Sequence, residues 1–193
     1  MANFPLRRLL PAAVLAIGLV ALAATLLLTP PRQGSAADIG GPFTLTAQDG
    51  RKVTQTDFAG APFLVFFGYT HCPDVCPTTL ADVSQIFARL GPDRKIAAAF
   101  ITIDPQRDTP AVMNDYMASF DPRIVALSGP AQALEPVLKA YRVFAKKVEG
   151  KDGDYTMDHT ALVYLMDRTG HFISSFNSAQ GAEAGAKELE KYL

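Results

Sequence analysis

Apolar positions along the chain change rhythm several times, and each change predicts an element. From Leu9 to Leu28 twenty residues run without a charge and with a single hydroxyl, Thr25; at a helical rise this is long enough to cross a bilayer core of about 30 Å. Arg7 and Arg8 precede the run, and Thr29-Pro30-Pro31 with one Arg32 follow it. The positive-inside rule then keeps residues 1–8 in the cytoplasm and exports everything after the span. A secretory signal has a shorter apolar region, of about 7–15 residues. That favours a transmembrane anchor at 9–28 over a cleaved signal, although Ser35-Ala36-Ala37 supplies the small residues a cleavage would use. Residues 29–40, with two prolines and two glycines, read as a tether. The expected location is the inner (cytoplasmic) membrane, single pass, with residues 41–193 on the exported side, in the periplasm or its equivalent.

Within 41–193 the rhythm alternates between strand and helix. Phe43–Thr46 and Lys52–Thr54 around Gly50 predict a short edge hairpin, and Phe63–Tyr69 a strong strand. Leu80, Val83, Phe87 and Leu90 recur at helical spacing until Gly91-Pro92 stops them. Ile96–Ile103 is almost entirely apolar, as in a strand buried on both faces. Thr109-Pro110 opens a second helix, with Val112, Met113, Tyr116, Met117 and Phe120 on one side, ended by Asp121-Pro122. Ile124–Leu127 predicts a third central strand. Residues 130–143 carry Leu134, Val137, Leu138 and Tyr141 at helical spacing, with Pro136 expected to kink the helix or delay its start. Ala161–Met166 and His171–Phe176 flank Gly170 as an antiparallel hairpin, and a helix from about Ala182 to Leu193 closes the chain. The charged stretch Lys146–Asp154, with Gly150 and Gly153, predicts a solvated, mobile loop. This order gives an α/β architecture with a mostly parallel sheet centre.

Charge narrows the function classes little. Eighteen Lys and Arg against nineteen Asp and Glu leave a formal net charge of −1, which offers no basic patch for nucleic acid and no strong steering field.

The chemistry concentrates at the end of the first strong strand. Phe63-Leu64-Val65-Phe66-Phe67-Gly68-Tyr69-Thr70 runs directly into His71-Cys72-Pro73-Asp74-Val75-Cys76-Pro77, which contains both cysteines of the protein. The flanking prolines favour a turn entering a helix, so both thiols are expected at a helix N-terminus, whose dipole and unpaired amides favour thiolate. Thiolates attack disulfides and bind soft metals. A lone cysteine is often only a small buried hydrophobe; two in a Cys-Pro-Asp-Val-Cys frame after a strand read more readily as a pair of ligands or a redox couple. A disulfide between them would lie near the upper geometric limit, making it strained and reducible.

A third ligand is less clear from residues alone. His159 stands in Tyr155-Thr156-Met157-Asp158-His159-Thr160, just before the strand 161–166, where a histidine can equally be packed or at the surface. His71 and His171 compete with it. His171 follows a turn glycine and is expected in solvent. His71 adjoins Cys72, but adjacent strand side chains face opposite ways, which argues against it and, likewise, against Asp158 touching the His159 ring. Asp104, Arg107 and Asp108 surround the start of the second helix, where Thr109 is expected to cap and the charges to cap or pair locally; an electrostatic docking role stays open.

Three stretches together resemble the Sco/SenC copper proteins: Phe67 to Pro77, Ile103-Asp104-Pro105-Gln106-Arg107-Asp108-Thr109-Pro110, and Tyr155 to Thr160. Their order and spacing agree with that family over about residues 40–193. The resemblance implies a thioredoxin-like fold, with a central mixed sheet flanked by helices. It implies a copper site built from Cys72, Cys76 and His159, holding Cu(I) or Cu(II). It also implies a role as a metallochaperone that takes copper from an upstream donor and supplies the binuclear copper centre of cytochrome c oxidase subunit II or a similar acceptor. Two thiolates suit Cu(I) and an imidazole admits Cu(II), while zinc is the plainer alternative for the same donors. Thioredoxins carry two residues between their cysteines and a tryptophan before the first; here there are three, and the chain has no tryptophan. The competing expectation is a thiol-disulfide oxidoreductase in which Cys72 and Cys76 alone keep the target's copper-binding cysteines reduced.

Overall fold

The computed structural model describes residues 39–150 and 153–193. The expected anchor at 9–28 and nearly all of the tether lie outside the described residues, and among those described no helix is long and apolar enough to cross a membrane.

Among the described residues nine strands and four α-helices follow in the order β1 (Thr44–Ala47), β2 (Lys52–Thr54), β3 (Phe63–Gly68), α1 (Val75–Leu90), β4 (Ala97–Thr102), α2 (Pro110–Met117), β5 (Ile124–Ser128), α3 (Ala131–Ala140), β6 (Ala145–Glu149), β7 (Tyr155–His159), β8 (Val163–Met166), β9 (Phe172–Phe176) and α4 (Ala182–Leu189). The main sheet has the order β2-β1-β5-β4-β3-β8-β9. Its centre, β5-β4-β3, is parallel, whereas β1 pairs antiparallel with β5 and β8 antiparallel with β3. The sheet is therefore mixed, with the parallel strands innermost and buried on both faces. All six residues of β3 and five of six in β4 are buried, and α1 adds Leu80, Val83, Ile86 and Phe87 to the same core.

Three expectations need correction. The stretch Lys146–Asp154 is not simply a loop: Ala145–Glu149 pairs antiparallel with Tyr155–His159 in a second, two-stranded sheet. Charged side chains conceal this strand in the sequence because β6 is exposed along four of its five residues, so no apolar alternation marks it. His159 consequently ends a strand of its own, and β8 starts later than expected, at Val163. Nor is the start of helix α3 delayed by Pro136: the helix begins at Ala131 and runs through it. The missing N–H removes one intrahelical bond, while buried Leu134 and Val137 hold the helix to the core on either side.

The C-terminal ends of the three parallel strands are joined by one residue. Asp108, fully buried, accepts hydrogen bonds from the Thr70 amide (3.2 Å), the Thr70 hydroxyl (2.6 Å) and the Thr102 hydroxyl (2.6 Å). Its own carbonyl accepts from Ser128 Oγ at 2.7 Å. Burial pushes the Asp108 carboxyl up from its ordinary range, against the lowering effect of the Thr102 and Thr70 donors. At the end of β3, Gly68 approaches α1 so closely that a β-carbon there would lie 2.6 Å from the Cys76 sulfur and 2.9 Å from Phe100 Cε2.

Two outcomes follow from this packing. Gly68→Ala forces Cys76 or Phe100 from its position, and denaturant unfolding should register a loss of about 1–3 kcal/mol. Asp108→Ala strips the Thr70 and Thr102 hydroxyls of their acceptor, and the same measurement should give a loss of about 3 kcal/mol.

Candidate metal centre

Strand β3 delivers the chain to the site and α1 carries it away. After Gly68 the turn Tyr69-Thr70-His71 is tied back by the Cys72 amide, which donates to the Tyr69 carbonyl at 3.2 Å. Helix α1 then begins at Val75, with Asp74 at its N-cap making no side-chain cap. Cys72 therefore precedes the helix and is half-buried, and Cys76, in the first turn, is completely buried; both are free thiols. The Cys76 amide donates to the Cys72 sulfur at 3.4 Å. One of the orphan donors of the helix start is thus aimed at a thiol sulfur, as expected of this junction.

The expectation that the helix terminus would favour thiolate at both positions fails at Cys76. Burial dominates there and pushes the thiol up, with further upward pressure from Cys72 and Asp108. A fully buried sulfur packed against Gly68 loses more hydration than the helix terminus returns. A soft cation would have to displace that proton on binding.

The imidazole arrives from the small sheet. In β7 the exposure alternates, so Tyr155, Met157 and His159 face inward and Thr156 and Asp158 face solvent. The His159 ring is held on two sides. Its Nδ1 lies 3.0 Å from the Thr160 carbonyl, and because a carbonyl only accepts, Nδ1 carries the hydrogen and Nε2 keeps a lone pair. The Tyr69 ring meets it edge-on, with centroids 5.9 Å apart and planes at 84°. Nε2 then points to Cys76 Sγ at 3.9 Å. The ligand atoms of Cys72, Cys76 and His159 all lie within 4.8 Å of one another, a separation that could hold a metal ion. Bonds of about 2.3 Å to sulfur and 2.0–2.1 Å to nitrogen require donor pairs nearly this close, so only a small contraction separates this geometry from a coordinated one. Hydrogen bonding of Nδ1 to a carbonyl, with Nε2 left open, is the arrangement of a metal-ready histidine.

Neither competing histidine joins this group. His71 is exposed, its Nδ1 3.0 Å from Thr70 Oγ1. His171 is exposed in the turn between β8 and β9, its Nδ1 2.7 Å from Thr169 Oγ1 and 3.8 Å from an Asp167 carboxylate oxygen. Both Nε2 atoms lie outside the cluster.

The second motif divides into roles wider than helix capping. Thr109 caps α2 as expected, accepting from the Val112 amide at 3.3 Å. Asp108 binds the strand ends under the cysteine turn. Arg107 and Asp104 pair, as local pairing predicts, but they also reach the small sheet: Arg107 Nη1 donates to the Tyr155 carbonyl at 3.0 Å, and the Tyr155 hydroxyl donates to Asp104 Oδ1 at 2.9 Å. Tyr69 and Tyr155 are the site residues that the sequence reading missed. Their signal was present: Tyr69 is the last apolar residue of the strand run, and Tyr155 shares the face of His159 under strand alternation.

Comparison with known proteins gives this arrangement its setting. The SCO1/SenC family model matches residues 31–193. Bradyrhizobium japonicum ScoI, solved with copper bound, is 55% identical with a TM-score of 0.78 over 80% of this chain and 99% of that one. The mitochondrial SCO1 homolog 1 of Arabidopsis thaliana is 35% identical over 170 residues, 84% of this chain and 50% of that protein. The mitochondrial SCO1 homolog of Homo sapiens is 38% identical over 144 residues, 72% of this chain and 47% of that protein. The chain thus spans about half the length of these two curated relatives. A mixed sheet of thioredoxin-like type flanked by helices, two thiols at the end of its central strand and an imidazole facing them agree with a sequence match over most of the chain, which belongs to the SCO1/SenC family.

Proposed function

We propose that this chain is a copper carrier, with Cys72, Cys76 and His159 as the ligands of its cargo. The carrying observation is the convergence of two free sulfurs and one ring nitrogen, within 4.8 Å, from two separate parts of the sequence. Two thiolates satisfy Cu(I), and the imidazole extends the set to Cu(II). Three donors leave a coordination position open, so a recipient's ligand can enter before these let go, and transfer proceeds by exchange rather than by release of a free ion. Copper in the related Bradyrhizobium japonicum ScoI supports this choice of metal over zinc.

The recipient follows from the family rather than from this chain's geometry. On the family's role in oxidase assembly, copper passes to the binuclear centre of cytochrome c oxidase subunit II or a similar acceptor, after loading from an upstream donor. The uncharged run 9–28 supports a single-pass anchor in the inner membrane, with the carrier domain on the exported side.

Titration of the reduced chain with Cu(I) and Cu(II) tests the carrier reading. One equivalent should bind, and His159→Ala should lower Cu(II) affinity by about 100-fold, the upper end of the cost of disturbing a metal ligand's surroundings. Uptake well below one equivalent, together with brisk disulfide exchange, would instead identify a dithiol oxidoreductase. Cys76→Ser supplies a complementary measurement: it exchanges a soft donor for a hard one, so Cu(I) retention in a competition assay should collapse while the melting temperature shifts by only a few degrees.

A further inference from the structure

The two thiols and the imidazole are not held by the same part of the molecule. Cys76 is fixed by the core, fully buried with its sulfur against Gly68. His159 belongs to β6–β7, a two-stranded sheet whose residues are largely exposed. An isolated hairpin of this size is marginal in water, so the place of His159 depends on what fastens this sheet to the body. Met157 and Ala145 contribute partly buried side chains. The polar fastening is built around one residue of the second motif.

Arg107 is largely enclosed, with its side chain 17% exposed, and every part of its guanidinium that has a partner serves the junction. Nε pairs with Asp104 at 2.5 Å. Nη1 donates to the Tyr155 carbonyl at 3.0 Å and reaches Asp154 Oδ1 at 3.4 Å. The guanidinium carbon lies 3.6 Å from the Tyr155 ring centroid and 5.7 Å from that of Tyr69. Asp104 completes the junction by accepting from the Tyr155 hydroxyl, and Tyr69 by accepting from the Met157 amide at 3.3 Å. Burial works against the Arg107 charge, yet the Asp104 carboxylate outweighs it and holds the guanidinium pKa above its ordinary value. Tyr155 and His159 lie on the same face of one strand, about 13 Å apart along it at the usual rise per residue. What fixes Tyr155 therefore fixes the direction from which His159 approaches the sulfurs.

We infer that Arg107 is the positioning residue for His159: its planar fork latches the β6–β7 sheet to the strand ends and so sets whether the site offers three donors or two. The consequence for copper rests on the carrier reading; the latch itself does not. Lysine cannot replace it, because a point charge on a flexible stem cannot pair with Asp104, donate to the Tyr155 carbonyl and lie flat on the Tyr155 ring at once. Cu(I), content with two thiolates, should be nearly indifferent to the latch, whereas Cu(II), which draws on the imidazole, should depend on it.

The test uses the full 193-residue chain, reduced, with Arg107→Lys, Arg107→Gln, His159→Ala and the double variant Arg107→Lys/His159→Ala. Without metal, amide exchange in β6 and β7 should quicken by about tenfold in both Arg107 variants while β3–β5 stay protected. With metal, Cu(I) affinity by competition should change less than about threefold, and Cu(II) affinity should fall by about tenfold or more with loss of nitrogen hyperfine structure in the electron paramagnetic resonance spectrum. The double variant should bind Cu(II) no more weakly than His159→Ala alone, since both changes remove the same ligand. The inference is overturned by unchanged exchange in β6–β7, by exchange rising equally through β3–β5, by nitrogen hyperfine that survives in Arg107→Lys, or by losses that add in the double variant. If the unaltered chain takes up no copper, the carrier reading falls, and the exchange measurement alone decides the role of Arg107.

Discussion

The close approach of α1 to β3 at Gly68 is the constraint on which the rest of the structure depends. Without a side chain at that position, the first turn of the helix can settle against the strand and bring the Cys76 sulfur into the space a β-carbon would fill. That contact decides the burial of Cys76, and the burial decides its chemistry: a thiol kept protonated until something displaces the proton. It also decides where Cys72 stands, since the turn between strand and helix leaves its sulfur within reach of the Cys76 amide.

Around this contact the protein concentrates its polar bonding at the C-terminal ends of the parallel strands, where open α/β sheets bind their ligands. Asp108 gathers Thr70, Thr102 and, through its backbone, Ser128. A buried carboxylate is costly unless its lone pairs are occupied, and here the donors come from Thr70 and Thr102, at the ends of β3 and β4. The carboxylate therefore specifies the relative height of β3 and β4, and the Asp108 carbonyl adds β5. The cysteine turn sits directly above that arrangement and inherits its rigidity.

The imidazole is held more lightly than the sulfurs. Its ring has a fixed tautomer and a fixed aromatic neighbour, yet its strand belongs to a sheet without a core of its own. A carrier benefits from such an asymmetry. A rigid pair of soft donors retains the ion, and a third donor on a separately fastened sheet can adjust when the oxidation state or the partner changes.

Much of this was legible in the sequence, for reasons that differ by element. The central strands and α1 declared themselves because burial on one or both faces leaves a periodic apolar record, and the Cys-Pro-Asp-Val-Cys frame at a strand end announced its chemistry because the spacing is local. Alternation in Tyr155–His159 even separated His159 from Asp158. The strand β6 left no such record, since its side chains are charged and its partner is a short strand and not the core. The depth of Cys76 was equally invisible, because it depends on the helix turn settling against Gly68 of the packed strand. So the sequence by itself determined the α/β class with a mostly parallel sheet centre and which residue types could bind a soft metal. Only the tertiary structure decided that His159, and neither His71 nor His171, faces the sulfurs, and that Arg107 and Asp104 fasten its strand. Local patterns encode the burial of each segment, while the meeting of residues far apart in the chain is a property of the packed whole.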